Sequence, residues 1–259
     1  MSSMLRASWI LFSAHLLRTL RSRRALFCML MAVVPVGLAF VVSRLAEINN
    51  SEDAQVPYFM FLQVGVPLIS LLLGSAVVSE EIDDRTISYL LTRPIPRASI
   101  LIGRYAATLV ILVLILGVSS GLTGHWLGMV RTAGGIPLLP PDFGRTFFLV
   151  AITGGAVYGA IYAAIGAWLK WPVIVGLGYT AAVEVFLANF PGRSQSLSVQ
   201  YYLKSWLFSG DVTLVGPVDF LTTPLLPPAE AIRTLALIGI VALALGSWIL
   251  SKRQFLLPS

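Results

Sequence analysis

Glu184 lies within an apolar run, TAAVEVFLANF, and no other acidic residue stands so deep in one. A lone carboxylate in hydrocarbon is costly, so such a group contacts a substrate or proton, or hydrogen-bonds a neighbouring helix. Both readings stay open on the sequence. Tyr202 and Trp206, in VQYYLKSWLF, join Glu184 as candidates for a substrate path. A second concentration of acid, Glu80, Glu81, Asp83 and Asp84, follows Ser79. There it matches the positive end of a helix dipole and serves docking rather than catalysis. The two histidines, His15 and His125, are far apart, and no HExxH or CxxC spacing occurs, so no metal site is expected. No Gly-x-x-x-x-Gly-Lys-Ser/Thr loop is present, which excludes ATP hydrolysis of the P-loop kind. The chain has no expected catalytic residue.

The elements that must position these residues are membrane helices. Of 259 residues, 57% are hydrophobic and only 12% charged, where a soluble domain carries about a quarter charged. The net charge of +6 does not point to nucleic acid, because Lys and Arg cluster at the ends of apolar runs. The single cysteine, Cys28, lies in an apolar run and says nothing about compartment. Six runs approach or exceed the roughly 20 residues that cross about 30 Å of hydrocarbon. They are approximately Ala25 to Val42, Pro57 to Val78, Ile100 to Trp126, Phe147 to Trp168, Val173 to Phe190 and Ala231 to Leu250.

Residues 1–24 carry Leu5, Trp9, Phe12, Leu16 and Leu20 along one stripe with most arginines off it, an amphipathic interfacial helix on membrane lipid. With the N-terminus inside, twelve Lys and Arg fall on the cytoplasmic side and six, Arg44, Arg131, Arg145, Arg193, Lys204 and Arg233, outside. The positive-inside rule therefore predicts a multi-pass protein of the cell membrane with both termini cytoplasmic. Lys170-Trp171-Pro172 is a minimal inside turn, and Gly154, Gly155, Gly159, Gly166, Gly176 and Gly178 predict close packing of the fourth and fifth spans.

Between the second and third spans lies residues 79–99, SEEIDDRTISYLLTRPIPRAS. Ser79 is expected to cap a short helix whose apolar side is Ile82, Thr86, Tyr89 and Leu90, and Pro94 and Pro96 forbid its continuation. Ser99 is expected to cap the third span, and Arg104 to reach out to the headgroups. This order of residues resembles the cytoplasmic coupling segment of ABC-2 type permeases, the membrane subunits of a class of ATP-binding-cassette exporters. Glu81 and Asp83 stand for the acids, Thr86 for the threonine, Leu90 and Leu91 for the leucine pair, and Pro94 and Arg97 for the turn, and these with Glu80, Arg85 and Tyr89 are the residues expected to couple to the ATPase. Arg104 is the basic residue opening the next span. Arg85 stands where the family usually has glycine.

The resemblance implies an all-α polytopic membrane protein. Its parts are the interfacial (elbow) helix 1–24, then a six-span domain 25–259 with the cytoplasmic coupling helix and an external re-entrant gate segment, 191–230. In that segment Val199, Tyr202, Leu203 and Trp206 form an apolar stripe, followed by Pro217, Pro224, Pro227 and Pro228. The resemblance also implies a permease subunit, not catalytic by itself, that moves or extracts a substrate using ATP and Mg held by a separate cytoplasmic ATPase, two copies of it. A second permease copy, a homodimer, is expected to complete the pathway, with the second and fifth spans at the seam. Motion at the coupling helix is expected to reach the gate through the fourth to sixth spans. The alternative is an integral membrane enzyme or scaffold built on Glu184 with His125 as a distant helper, and it lacks a nucleophile, metal cluster or phosphate loop. A passive channel lacks repeated pore-lining charge.

Overall fold

The computed structural model describes residues 12–13, 16–45, 56–57, 59–83, 97–130, 139–188, 193–208 and 224–252. Among them helix is the only regular structure. α1 spans Arg23–Leu45 and α2 Val66–Asp83, the latter entered through a π-helical turn at Met60–Gly65. α3 spans Arg97–Leu127 and α4 Phe143–Trp168. α5 spans Pro172–Tyr179 and runs on into a second π-helical turn, Thr180–Leu187. A 3₁₀ turn at Arg193–Leu197 leads to α6, Val199–Leu207, and α7 spans Pro228–Lys252.

Among the described residues, α1, α3, α4, α7 and α2 with its π turn are long and apolar enough to cross a membrane. The helix Pro172–Leu187 is apolar but shorter. Its end runs toward residues 189–192, outside the described set. The chain is an all-α polytopic membrane protein.

Local sequence sets the helix ends. Ser22 donates to the Thr19 carbonyl at 2.7 Å and accepts from the Ala25 amide at 3.1 Å. It thereby breaks the turn at residues 16–20 from α1 and caps the longer helix. At the other end of α1, Phe40 meets Trp126 edge-on at 4.9 Å with the Arg44 guanidinium over both rings. His125 adds an edge contact to Trp126 at 5.6 Å. Pro172 starts α5 as its first residue, where a missing N–H is harmless.

The helix expected to begin at Ser79 does not begin there. α2 runs without a break through Ser79 to Asp83, because no glycine or proline interrupts the ladder between Gly74 and Pro94. α3 likewise already includes Ser99. Of the coupling residues, Arg85, Thr86, Tyr89, Leu90, Leu91 and Pro94 lie outside the described residues, and Glu80, Glu81, Asp83 and Arg97 are described as backbone only. Arg104 does not reach outward. It is 6% exposed and donates to the Val77 carbonyl at 3.5 Å, so it binds α3 to α2.

α4 is the hub, packed against α2, α3 and α7, with Phe147, Tyr158 and Tyr162 fully buried. Glycine permits this, though not where the sequence suggested. A Cβ on Gly74 of α2 would sit 2.8 Å from the Gly159 carbonyl oxygen, and one on Gly166 would sit 2.8 Å from that of Ser75. Gly155 and Gly159 face Leu116 and Leu112 of α3. The small residues of α4 thus seat α2 and α3, and of the six expected at the α4–α5 hairpin only Gly176, against Tyr162, serves it. The hairpin is closed by polar pairs instead. Within the chain 78% of the Met60–Val77 stretch is buried, against 28% of α1 and 22% of α7.

Gly74→Val tests the close approach. Overpacking of this kind costs roughly 1–3 kcal/mol. The purified variant is expected to melt well below the parent in detergent, while Gly37→Val, with nothing within 4 Å of its Cβ, keeps the parent midpoint. Equal midpoints for the two variants would remove the glycine contact as a determinant of the fold.

Candidate functional site

α6 begins inside the bundle, and everything around its N-terminus answers the problem this creates. The first four N–H groups of any helix lack internal partners, and in hydrocarbon each unsatisfied one costs several kcal/mol. Ser198, the N-cap, accepts from the Tyr201 amide at 3.2 Å. Glu184 takes the next two. Its Oε1 accepts from the Val199 amide and its Oε2 from the Gln200 amide, both at 3.1 Å.

The carboxylate is completed by tyrosines. Tyr158 donates to Oε2 at 2.6 Å and Tyr179 to Oε1 at 3.2 Å. Glu184 is fully buried. Four donors converge on two oxygens, and two of them are amides that can only donate, a seat made for an ionised carboxylate. Its countercharge is the positive end of the α6 dipole, with Lys204 one turn beyond Gln200 within electrostatic range. One turn earlier on the same face, Tyr162 donates to Thr180 at 2.6 Å, whose own proton goes to the Gly176 carbonyl at 2.8 Å. Tyr158 and Tyr162 of α4 therefore pair with Glu184 and Thr180 of the following helix in antiparallel register, and these bonds close the hairpin.

The other wall is the π turn at Met60–Gly65, and Pro67 explains its form. Proline offers no N–H, so the carbonyl five residues before it loses a donor, and the Val66 amide is turned to Phe61 O. Leu62 O is left without either helical donor. Gln200 supplies one, its Nε2 donating to Leu62 O at 2.8 Å. Beside it the Lys204 ammonium donates to Gln63 Oε1 at 3.3 Å and lies 5.6 Å from the centre of the Phe59 ring.

Depth is set by Gly154, near the middle of α4. A Cβ there would meet Leu203 at 2.9 Å, so the glycine is what lets α6 sink between α2 and α4. Val199, Tyr201, Leu203 and Leu207 are all buried, which is more than one stripe. Of the path candidates, Tyr202 and Trp206 are half-buried against the core, and Tyr202 donates to Ser196 O at 2.9 Å. The structure brings Glu184 to the start of the helix that carries both. Tyr201, not singled out from the sequence, donates to Pro224 O at 2.6 Å and ties α6 to the lead-in of α7. Gln200, Tyr158 and Pro67 were also passed over. A proline within an apolar run frees a carbonyl a turn behind it, and that signal was available.

These are features of a helical membrane body around a polar joint, with no catalytic constellation among the described residues. The ABC-2 family transporter model matches residues 9–188. The chain belongs to this family. It is a membrane permease of an ABC transporter, the transport component rather than a catalytic one, and ABC-2 permeases work with an ABC ATPase. The matched stretch includes α5 and Glu184, and α6 and α7 lie beyond it. Comparison with curated proteins finds no match.

The carboxylate seat is open to a direct test. Glu184→Gln turns an NH₂ toward one of the two amides, a donor against a donor, whereas Tyr179→Phe removes a single hydroxyl. The expected losses are roughly 2–3 and about 1 kcal/mol, read as melting midpoints in detergent. If Glu184→Gln melts no lower than Tyr179→Phe, the ionised carboxylate is not what holds α6.

Proposed function

We propose that this chain is the permease of an exporter in the cell membrane and that α6 is its external gate. Both termini are cytoplasmic, and the apolar helix Pro172–Leu187 is the fifth of six spans. Residues 79–99 form the coupling segment, with Glu80, Glu81, Asp83, Arg85, Thr86, Tyr89, Leu90, Leu91, Pro94 and Arg97 facing a separate cytoplasmic ATPase that holds ATP and Mg. Two ATPases serve two copies of the permease in a homodimer. The observation that carries the gate is the burial of α6. A nine-residue helix capped by a carboxylate from another helix, with Leu203 at the middle of α4, supports a re-entrant element over a surface loop.

Glu184 is a structural part of that gate, and Tyr202 and Trp206, half-exposed on it, are the residues that face the path. Alternating access requires the outer side to close when the inner side is loaded. Nucleotide in the partner shifts the gate only by binding its two positions differently.

Two measurements test this reading. Leu90→Asp with Leu91→Asp is expected to abolish substrate-stimulated ATP hydrolysis by the assembled complex while leaving membrane insertion intact, and full stimulation in the double variant would refute the docking role. Spin labels at Leu197, which is 69% exposed, should change their separation between the two permease copies when non-hydrolysable ATP is added. A fixed separation in a nucleotide-dependent transporter would make α6 a static cap.

A further inference from the structure

Two sets of polar anchors hold the buried side of α6, and one residue belongs to both; a further bond, from Tyr201 to Pro224 O, ties the helix to the lead-in of α7. Toward the α4–α5 hairpin the anchors are the Val199 and Gln200 amides on Glu184. Toward the second span they are the Gln200 side chain on Leu62 O and Lys204 on Gln63. The orientation of the Gln200 amide is fixed by its neighbour, since a carbonyl at 2.8 Å accepts only from Nε2. Gln200 is fully buried, and its Oε1 meets no donor among the described residues. An apolar side chain of the same size would remove that orphaned oxygen but leave Leu62 O without a donor, so the amide is held here by the carbonyl it serves.

The second span is a continuous helix from Val66 to Asp83, roughly 27 Å at 1.5 Å per residue. One end is the turn that grips Gln200 and Lys204. The other is the acidic start of residues 79–99. We infer that Gln200 is the positioning residue that joins the external helix to the second span, so that α2 and α6 move as one body and displacement at the coupling segment arrives at α6 directly along α2. The α4–α5 hairpin, the route that chain order suggests, is then the fixed wall against which α6 moves, and the two amide bonds to Glu184 are the ones that part. The bonds within the wall, from Tyr158 and Tyr179 to Glu184, persist in both positions. This inference rests on the gating reading above.

The test uses the complete permease–ATPase complex and adds a second label at Val64, which is 38% exposed on the turn that holds Gln200. Doubly labelled subunits are diluted with unlabelled ones so that the Val64–Leu197 distance is read within one chain. Movement of α2 and α6 together requires this distance to stay constant between the nucleotide-free and the non-hydrolysable-ATP states while the Leu197–Leu197 distance between copies changes. A Val64–Leu197 distance that changes along with it overturns the joint and leaves the gate standing. An unchanged Leu197–Leu197 distance overturns the gate itself. Gln200→Met keeps the size and the backbone bond to Glu184 and deletes the donor to Leu62, so the nucleotide-dependent shift at Leu197 is expected to be lost while Val64 still moves between copies. Gln200→Asn, which keeps the amide but shortens its reach, is read in the same way, and a parent-like Leu197 shift in either assembled variant refutes the role of Gln200.

Discussion

Hydrocarbon offers a helix no water for its open ends, and α6 starts where that matters most. Ser198 and Glu184 together satisfy three of its leading amides, and the carboxylate is tolerable at that depth because two of those amides and two tyrosines hydrogen-bond it. Neither partner is stable without the other. An unpaired Glu184 would be a buried charge, and an uncapped α6 would expose its amides to an apolar wall. The register of the α4–α5 hairpin follows from bringing these groups together.

Both π turns lie where their helices meet α6, and both have local causes or uses. At Met60–Gly65 the cause is Pro67, and the freed Leu62 carbonyl finds Gln200. At Thr180–Leu187 the turn carries Thr180 and Glu184 on the face toward Tyr162 and Tyr158. Around this polar layer the packing is carried by small residues. α4 approaches α2 so closely at Gly74 and Gly166 that carbonyls stand where side chains would be, which leaves van der Waals contact to supply what the hydrophobic effect cannot supply within a membrane.

The helical class and the apolar runs were legible in the sequence because length and composition carry them. Membership of the ABC-2 family was legible in the order of residues from Glu81 to Arg104. What the sequence did not reveal were the pairings. Hydropathy finds a span and not the face it turns to which neighbour, so the glycines of α4 were expected against α5 and seat α2 and α3. Arg104 was expected at the headgroups and turns to Val77. Glu184 was legible as a buried acid, but its partners are fixed by tertiary placement, and the bond from Gln200 to Leu62 joins positions 138 residues apart. Pro67 is the exception, a local signal with a local consequence that was open to inspection.

The seat of Glu184 also bears on how the chain is built. Synthesis delivers the α4–α5 hairpin before α6, so a short apolar helix carrying an acid enters the bilayer while its two amide donors are still to come. The described helix Pro172–Leu187 covers roughly 24 Å at about 1.5 Å per residue. Until Val199 and Gln200 arrive, Tyr158 of α4 and Tyr179 of α5 are the side chains that hold the carboxylate, and Tyr158 holds it only once the hairpin has closed. Tyr158 of α4 thus serves as an assembly scaffold for the helix that follows it, ahead of the segment, translated later, that folds back to supply the two amides.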